Sequence, residues 1–286
     1  MIIIGGSTSK KLAKSLSSEL GISCVEAQTK RFPDNEGYVR IDTALDNEEV
    51  VLVQNTYPDE KIIELFLLQD AIHEFDIKKL TTIIPYYGYA RQDKKFNPGE
   101  SISARALARY IELLTDEVIL VDIHAKSILG WFTKPVREIS GMTQIGEFLK
   151  QYSPDIIMAP DKGAINRASS VASVLNSDFD YLEKTRLDEH TVTMKAKSLD
   201  VKARSVVIVD DIIATGGTII KATDELKDQG ATSVIAACTH GLYTSGALEK
   251  LNSKCDKILS TDTLESETSL ITIAPEIKKI LKQKVS

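Results

Sequence analysis

A chain of 286 residues, 43% hydrophobic and 27% charged, has the make-up of an ordinary globular protein and room for one large or two modest domains. Its formal net charge of −6, with no dense Lys/Arg stripe, argues against a nucleic-acid surface, and no apolar stretch approaches the roughly 18 residues of a membrane span. The few, widely spaced cysteines Cys24, Cys238 and Cys255 fit a reducing compartment and neither a zinc site nor a disulfide framework, so a cytoplasmic enzyme is the expectation.

The opening stretch MIIIGGSTSKKLAKSLSSELG starts as a strand at once and shows no signal-peptide layout. Strand-like runs follow in chain order at Met1–Ile4, Val50–Val53, Leu80–Pro85, Glu117–Asp122, Asp155–Ala159, Val206–Val209 and Ser233–Cys238. Between them, helical periodicity marks Lys10–Leu20, Lys61–Glu74, Ala104–Leu114, Thr143–Tyr152, Lys162–Leu175 and Gly217–Gln229. This alternation predicts doubly wound α/β layers, each a mainly parallel sheet flanked by helices.

A faint internal repeat is visible. The segment from Val50, VVLVQNTYPDEKIIELFLLQDAIHEFDIKKLTTIIPYYG, aligns with that from Val206, VVIVDDIIATGGTIIKATDELKDQGATSVIAACTHG, at a spacing of roughly 155 residues. Each reads strand, polar pair, loop, helix, strand; the pair is Gln54-Asn55 in the first and Asp210-Asp211 in the second. Two similar domains are expected, 1–142 and 143–286, with the boundary near 138–146 and only the second keeping a ligand loop.

That loop is the most informative stretch. Val206 to Val209 are β-branched and uninterrupted, as in a strand buried on both faces of a parallel sheet, and open α/β sheets place ligands at the carboxyl ends of such strands. Gly216 and Gly217 allow close backbone approach, while the Thr215 and Thr218 hydroxyls and the amides that open the next helix offer a donor nest for a phosphate. Asp210 and Asp211 would repel that phosphate, so they should face adjacent sugar hydroxyls, directly or through Mg²⁺. A sugar phosphate suits this loop; a capped strand–helix turn with solvated aspartates is the plainer alternative.

The DDIIATGGT stretch resembles the phosphoribosyl-diphosphate motif of type I phosphoribosyltransferases. Taken with RFPDNEGYVR (31–40), GYARQDKKFNPGESISAR (88–105), VDIHAKSILGWF (121–132) and APDKGA (159–164), nearly the whole chain resembles the ribose-phosphate pyrophosphokinase family. The resemblance implies two domains of the type I phosphoribosyltransferase kind. It also implies Mg²⁺-dependent transfer of the β,γ-diphosphoryl group of ATP to the C1 hydroxyl of ribose 5-phosphate, with release of AMP.

The roles it implies can be set beside what each residue is by itself. Arg91, Gln92 and Asp93 form a polar loop after a strand, and the matching motif binds ATP. His124 follows an apolar strand and Asp161 ends another; the matching residues hold Mg²⁺, for which imidazole is an unusual ligand. Phe32, Asp34, Asn35 and Glu36 lie in a turn-rich, hairpin-like segment; in the family this turn reaches the neighbouring subunit's ATP site, which implies a homo-oligomer, at least a dimer. Lys184 and Arg186 are two cations in a polar segment, matching the Lys-x-Arg of a mobile catalytic loop. Lys184 is expected at the transition state and Arg186 on phosphates, that of ribose 5-phosphate included. Asp210, Asp211, Ala214, Thr215, Gly216, Gly217 and Thr218 make up the remaining ribose 5-phosphate set. Three positions depart from common family patterns: the FPDNE turn, the DKGA turn without a second glycine, and Thr185 in place of a third basic residue. Two other readings share these motifs: a phosphoribosyltransferase that consumes the product, and a non-catalytic regulatory relative.

Overall fold

A computed structural model describes residues 1–186, 192–196 and 199–283, apart from the side chains at 184–186 and 192–195. The chain divides into two compact units: Met1–Ser140 with Thr263–Glu265 and Thr272–Ser286, and Gly141–Asp262 with Ser266–Ile271.

In the first unit the chain runs β1 (Ile2–Gly5), α1 (Lys10–Leu20), β2 (Cys24–Glu26), β3 (Gln28–Arg31), β4 (Gly37–Arg40), β5 (Glu49–Val53), α2 (Glu60–His73), β6 (Lys79–Ile84), α3 (Ser103–Ile111), β7 (Glu117–Val121) and β8 (Val136–Ile139). The sheet order is β2-β1-β5-β6-β7-β8, all parallel. Alternation along each strand feeds two cores. Ile4, Val50 and Leu52 pack with Leu65 and Leu68 of α2, while Ile3, Val51 and Val53 pack with Leu12 and Leu16 of α1. Strands covered on both faces need apolar residues at every position, which is why they read as unbroken runs. β3 and β4 form a separate antiparallel hairpin.

The second unit runs α4 (Met142–Leu149), β9 (Ile156–Ala159), α5 (Ile165–Leu175), β10 (Asp178–Arg186), β11 (Val192–Ala196), β12 (Ser205–Ile213), α6 (Gly217–Asp228), β13 (Ser233–Gly241), α7 (Ala247–Asn252), β14 (Lys257–Thr261) and β15 (Ser269–Ile271). Among the described residues the order is β11-β10-β9-β12-β13-β14-β15, parallel but for β11. Val206 and Ile208 pack towards Ala222 and Leu226 of α6, and Val207 and Val209 towards Ala168 and Val171 of α5. Both sheets are thus the expected helix-flanked parallel kind.

Three differences from the sequence reading stand out. The last helix, α8 (Ala274–Lys282), belongs to the first unit: Ile277 and Leu281 join the core formed by Leu12 and Leu16, and Lys278 Nζ lies 2.9 Å from Glu19 Oε2. The second unit therefore does not extend to the end of the chain, as a domain at 143–286 would. β12 continues past Val209 because β13 runs on to Gly241 and pairs with it, so Asp210 and Asp211 lie inside a strand and not in the loop after it. The segment holding Lys184 and Arg186 is a strand, paired antiparallel with Val192–Ala196.

Candidate functional site

Strand order fixes where each sheet opens. In the second unit the chain passes from β9 to β10 on one side and returns to β12 on the other, so the switch point lies between β9 and β12. Open α/β sheets bind ligands at the carboxyl ends of the strands flanking such a point. Asp161 follows β9, Asp210 and Asp211 lie near the end of β12, and 214–218 follow it, so the structure places these expected residues at the carboxyl ends of two adjacent strands.

The two aspartates are not equivalent. Asp211 is buried: its Oδ1 accepts from the Ile212 amide at 2.9 Å and its Oδ2 from Arg167 Nη2 at 2.8 Å. Asp210 is half-buried; its Oδ1 accepts from the Asp211 amide at 2.8 Å and lies 3.7 Å from Arg167 Nη1. Burial first, and then repulsion from Asp211, push the Asp210 carboxyl up to about 7, with Arg167 opposing the shift. Arg167 escaped the sequence reading. Its only trace is a lone arginine beside Ala168, in the sheet-facing stripe of Ala168, Val171 and Ala172.

The phosphate-nest expectation rests on α6. Gly216 has φ of +74°, a conformation that glycine alone adopts freely, and a Cβ there would lie 3.1 Å from the Leu251 side chain. Beyond it α6 begins with no side-chain cap, so its first amides have no intrahelical acceptor and no capping oxygen. Thr215, Gly217 and Thr218 around them are exposed. An uncapped helix start flanked by hydroxyls is an anion site in form. Asp161, at the other lip, accepts from the Gly163 amide through Oδ1 at 2.9 Å, leaving its second oxygen for a hard cation. The side chains of Lys184 and Arg186 lie outside the described residues.

The first unit opens between β1 and β5 by the same rule, but its own side chains fill the gap. Glu64 of α2 accepts from the Ser7 amide at 2.8 Å, Ser7 Oγ at 2.8 Å, Gln54 Nε2 at 3.2 Å and Lys61 Nζ at 3.0 Å. Farther along the same edge the loop after β6 leans on the loop after β5. The Gly88 amide donates to Thr56 Oγ1 at 2.7 Å and the Tyr89 hydroxyl to Asp59 Oδ1 at 2.8 Å; a Cβ at Gly88 would lie 2.5 Å from the Thr56 carbonyl oxygen. Arg91 and Gln92 line a cavity of about 330 Å³ here, with Tyr57, Tyr86 and Tyr89. Asp93 follows, half-buried, and His124 lies exposed just beyond β7 on the same edge. Phe32, Asp34, Asn35 and Glu36 form the β3–β4 turn, closed by the Phe32 amide donating to the Glu36 carbonyl at 2.9 Å, with Phe32 exposed at its base. A larger cavity, about 620 Å³ and lined by Lys150, Asp155, Asp178 and Arg204, lies at the amino ends of β9, β10 and β12 and holds none of the expected residues.

Among the described residues no cluster of three or more His, Cys, Asp or Glu could cage a metal. Isolated carboxylates such as Asp161 still fit Mg²⁺, which keeps several waters and takes most of its remaining ligands from substrate phosphates.

Comparison with known proteins follows the same lines. Residues 1–114 match the family described as the N-terminal domain of ribose phosphate pyrophosphokinase, and residues 136–278 match the phosphoribosyl transferase domain. A ribose-phosphate pyrophosphokinase of Methanosarcina acetivorans is 42% identical over 99% of this chain and 100% of its own length. One of Pyrococcus furiosus is 40% identical over 98% and 100%. The crystal structure of phosphoribosylpyrophosphate synthetase from Mycobacterium smegmatis superposes with a TM-score of 0.84 at 27% identity, covering 99% of this chain and 98% of the other.

Proposed function

Since the chain belongs to the ribose-phosphate pyrophosphokinase family, a family of diphosphokinase transferases, we propose that it transfers the diphosphoryl group of ATP to the C1 hydroxyl of ribose 5-phosphate. The observation that carries this reading is the uncapped start of α6 behind Thr215–Thr218, with Asp210 and Asp211 beside it. The amides and hydroxyls of 214–218 take the 5-phosphate; the carboxylates take the ring hydroxyls. Held by its tail and its diol, the pentose presents O1 to the nucleotide. O1 attacks the β-phosphorus in line and its hydroxyl proton passes to solvent, the bond from that phosphorus to the oxygen bridging to the α-phosphate breaks, and AMP leaves with its electron pair.

Such transfers depend mainly on positioning and charge stabilisation. Arg91, Gln92 and Asp93 are assigned to ATP. Phe32, Asp34, Asn35 and Glu36 are assigned to the ATP of a neighbouring copy, in a homo-oligomer that is at least a dimer. Lys184 is assigned to the charge that develops on the departing oxygen, and Arg186 to phosphates. Mg²⁺ is the proposed cofactor, with His124 and Asp161 as residues to hold it; bound, it would neutralise phosphate charge. No helix among the described residues is long and apolar enough to cross a membrane, and a cytoplasmic setting is proposed.

The test is direct. Purified protein with ATP, ribose 5-phosphate and Mg²⁺ should release AMP and 5-phosphoribosyl 1-diphosphate in equal amounts. No AMP from this mixture, but nucleotide and diphosphate formed when 5-phosphoribosyl 1-diphosphate and a free base are supplied, would point to a phosphoribosyltransferase, and ATP binding without turnover to a regulatory relative. Lys184→Ala should lower turnover strongly and leave ribose 5-phosphate affinity nearly intact.

A further inference from the structure

We propose that Arg167 is a positioning residue for the pentose: by clamping Asp211 it orients the carboxylate pair that receives the ring hydroxyls. The inference rests on the ribose reading above and adds to it a residue from outside the TGGT loop.

The two carboxylates crowd each other. Asp210 and Asp211 are neighbours on a strand, joined by the Asp211 amide donating to Asp210 Oδ1 at 2.8 Å. Two carboxylates so close, one of them buried, cannot both keep their charge without a cation. Arg167 reaches across from α5, Nη2 to Asp211 Oδ2 at 2.8 Å and Nη1 to Asp210 Oδ1 at 3.7 Å. A guanidinium can span both carboxylates because its donors lie in a rigid plane; an ammonium offers a single centre. With Asp211 Oδ1 on the Ile212 amide and Oδ2 on Arg167, its carboxylate plane is fixed before any ligand arrives. Asp210, the more exposed of the two, is thereby set relative to the loop that would grip the phosphate. The same cation offsets the acid pair's repulsion of an incoming sugar phosphate. Arg167 thus acts on the pentose through the aspartates.

Steady-state kinetics on the full chain test this with Arg167→Met, Arg167→Lys, Asp211→Asn and the double variant Arg167→Met/Asp211→Asn. Arg167→Met should raise KM for ribose 5-phosphate about tenfold or more, the scale of a lost charged hydrogen bond, while KM for ATP moves less than about twofold. Arg167→Lys should recover part of the loss. In the Asp211→Asn background the Arg167→Met step should shrink to about twofold, because contacting residues are not additive when one acts through the other. An unchanged KM for ribose 5-phosphate, equal rises in both KM values, or full additivity would each overturn the proposal. Should Arg167→Met not fold, Arg167→Lys alone and on Asp211→Asn makes the same comparison. A parent chain that neither binds nor consumes ribose 5-phosphate overturns the ribose reading and this inference with it. A parent that does so, with Arg167 variants unaffected, overturns this inference only.

Discussion

The Tyr89 hydroxyl donates to Asp59 Oδ1 at 2.8 Å and so ties the loop that carries Arg91 and Gln92 to the start of α2. Tyr89 has φ of +63°, an uncommon conformation for an aromatic residue, and its carbonyl accepts from the Gln92 amide at 2.8 Å. The side-chain bond and the Gly88–Thr56 bond together hold the start of this turn. Tyr89→Phe should therefore raise KM for ATP about threefold to tenfold, the range for one lost hydrogen bond, and change stability by less than about 1 kcal/mol because the hydroxyl is exposed. Asp59→Asn keeps an acceptor oxygen and should do less. An ATP titration at saturating ribose 5-phosphate reads both, and an unchanged KM would leave Thr56 and Gly88 as the sole braces.

Gly216 and Gly217 are adjacent and should respond differently to alanine. At Gly216 the left-handed backbone and the nearby Leu251 side chain both oppose a Cβ, so Gly216→Ala should lower stability by about 1–2 kcal/mol or more and weaken ribose 5-phosphate binding. At Gly217 nothing lies closer than Thr215 Oγ1 at 4.0 Å from a built Cβ, and φ is ordinary. Gly217→Ala should leave the melting temperature nearly unchanged and still raise KM for ribose 5-phosphate, because the new methyl occupies the space over the helix amides. Thermal melts beside kinetics separate the two, and equal melting losses would contradict the distinction.

The sequence disclosed most where burial on two faces forces unbroken apolar runs. Val50–Val53 and Val206–Val209 are such runs, and each proved to be a central strand. It disclosed less at sheet edges. Val136–Ile139 carries Arg137 and Glu138, and Ser269–Ile271 is too short for any period to register. The length of β12 depended on its partner β13, a long-range pairing with no local signature, so the acid pair was expected in a loop. The helix APEIKKILK has clear helical spacing, yet nothing local announces that it packs on α1. Arg167 has the same character: its meaning lies in the aspartates of a strand more than forty residues away.

Glu64 tests whether the first crevice is closed by its own carboxylate. Four donors from Ser7, Gln54 and Lys61 converge on it. Glu64→Ala would strand them and should destabilise the protein by about 2–4 kcal/mol. Glu64→Gln should not rescue it fully, since an amide nitrogen would face donors from Ser7 and Lys61. Neither change should alter KM for ribose 5-phosphate if that crevice takes no sugar phosphate. Urea denaturation gives the first quantity and kinetics the second.

Asp210 gives a pH-dependent prediction whose sign follows from its surroundings. Burial and Asp211 raise its carboxyl from 3.8 to about 7, so the folded chain holds this proton more tightly than the unfolded chain does. The stabilising contribution is complete below the unfolded value and is lost as pH rises through the folded one. Asp210→Asn keeps the oxygen that accepts from the Asp211 amide and has no proton to lose. Without ligands, parent and variant should melt together near pH 4. The variant should then gain as pH rises towards 7 and stay ahead above it by on the order of 5 °C. A parent that melts higher at pH 8 would mean that Arg167 stabilises the Asp210 carboxylate more than burial and Asp211 oppose it.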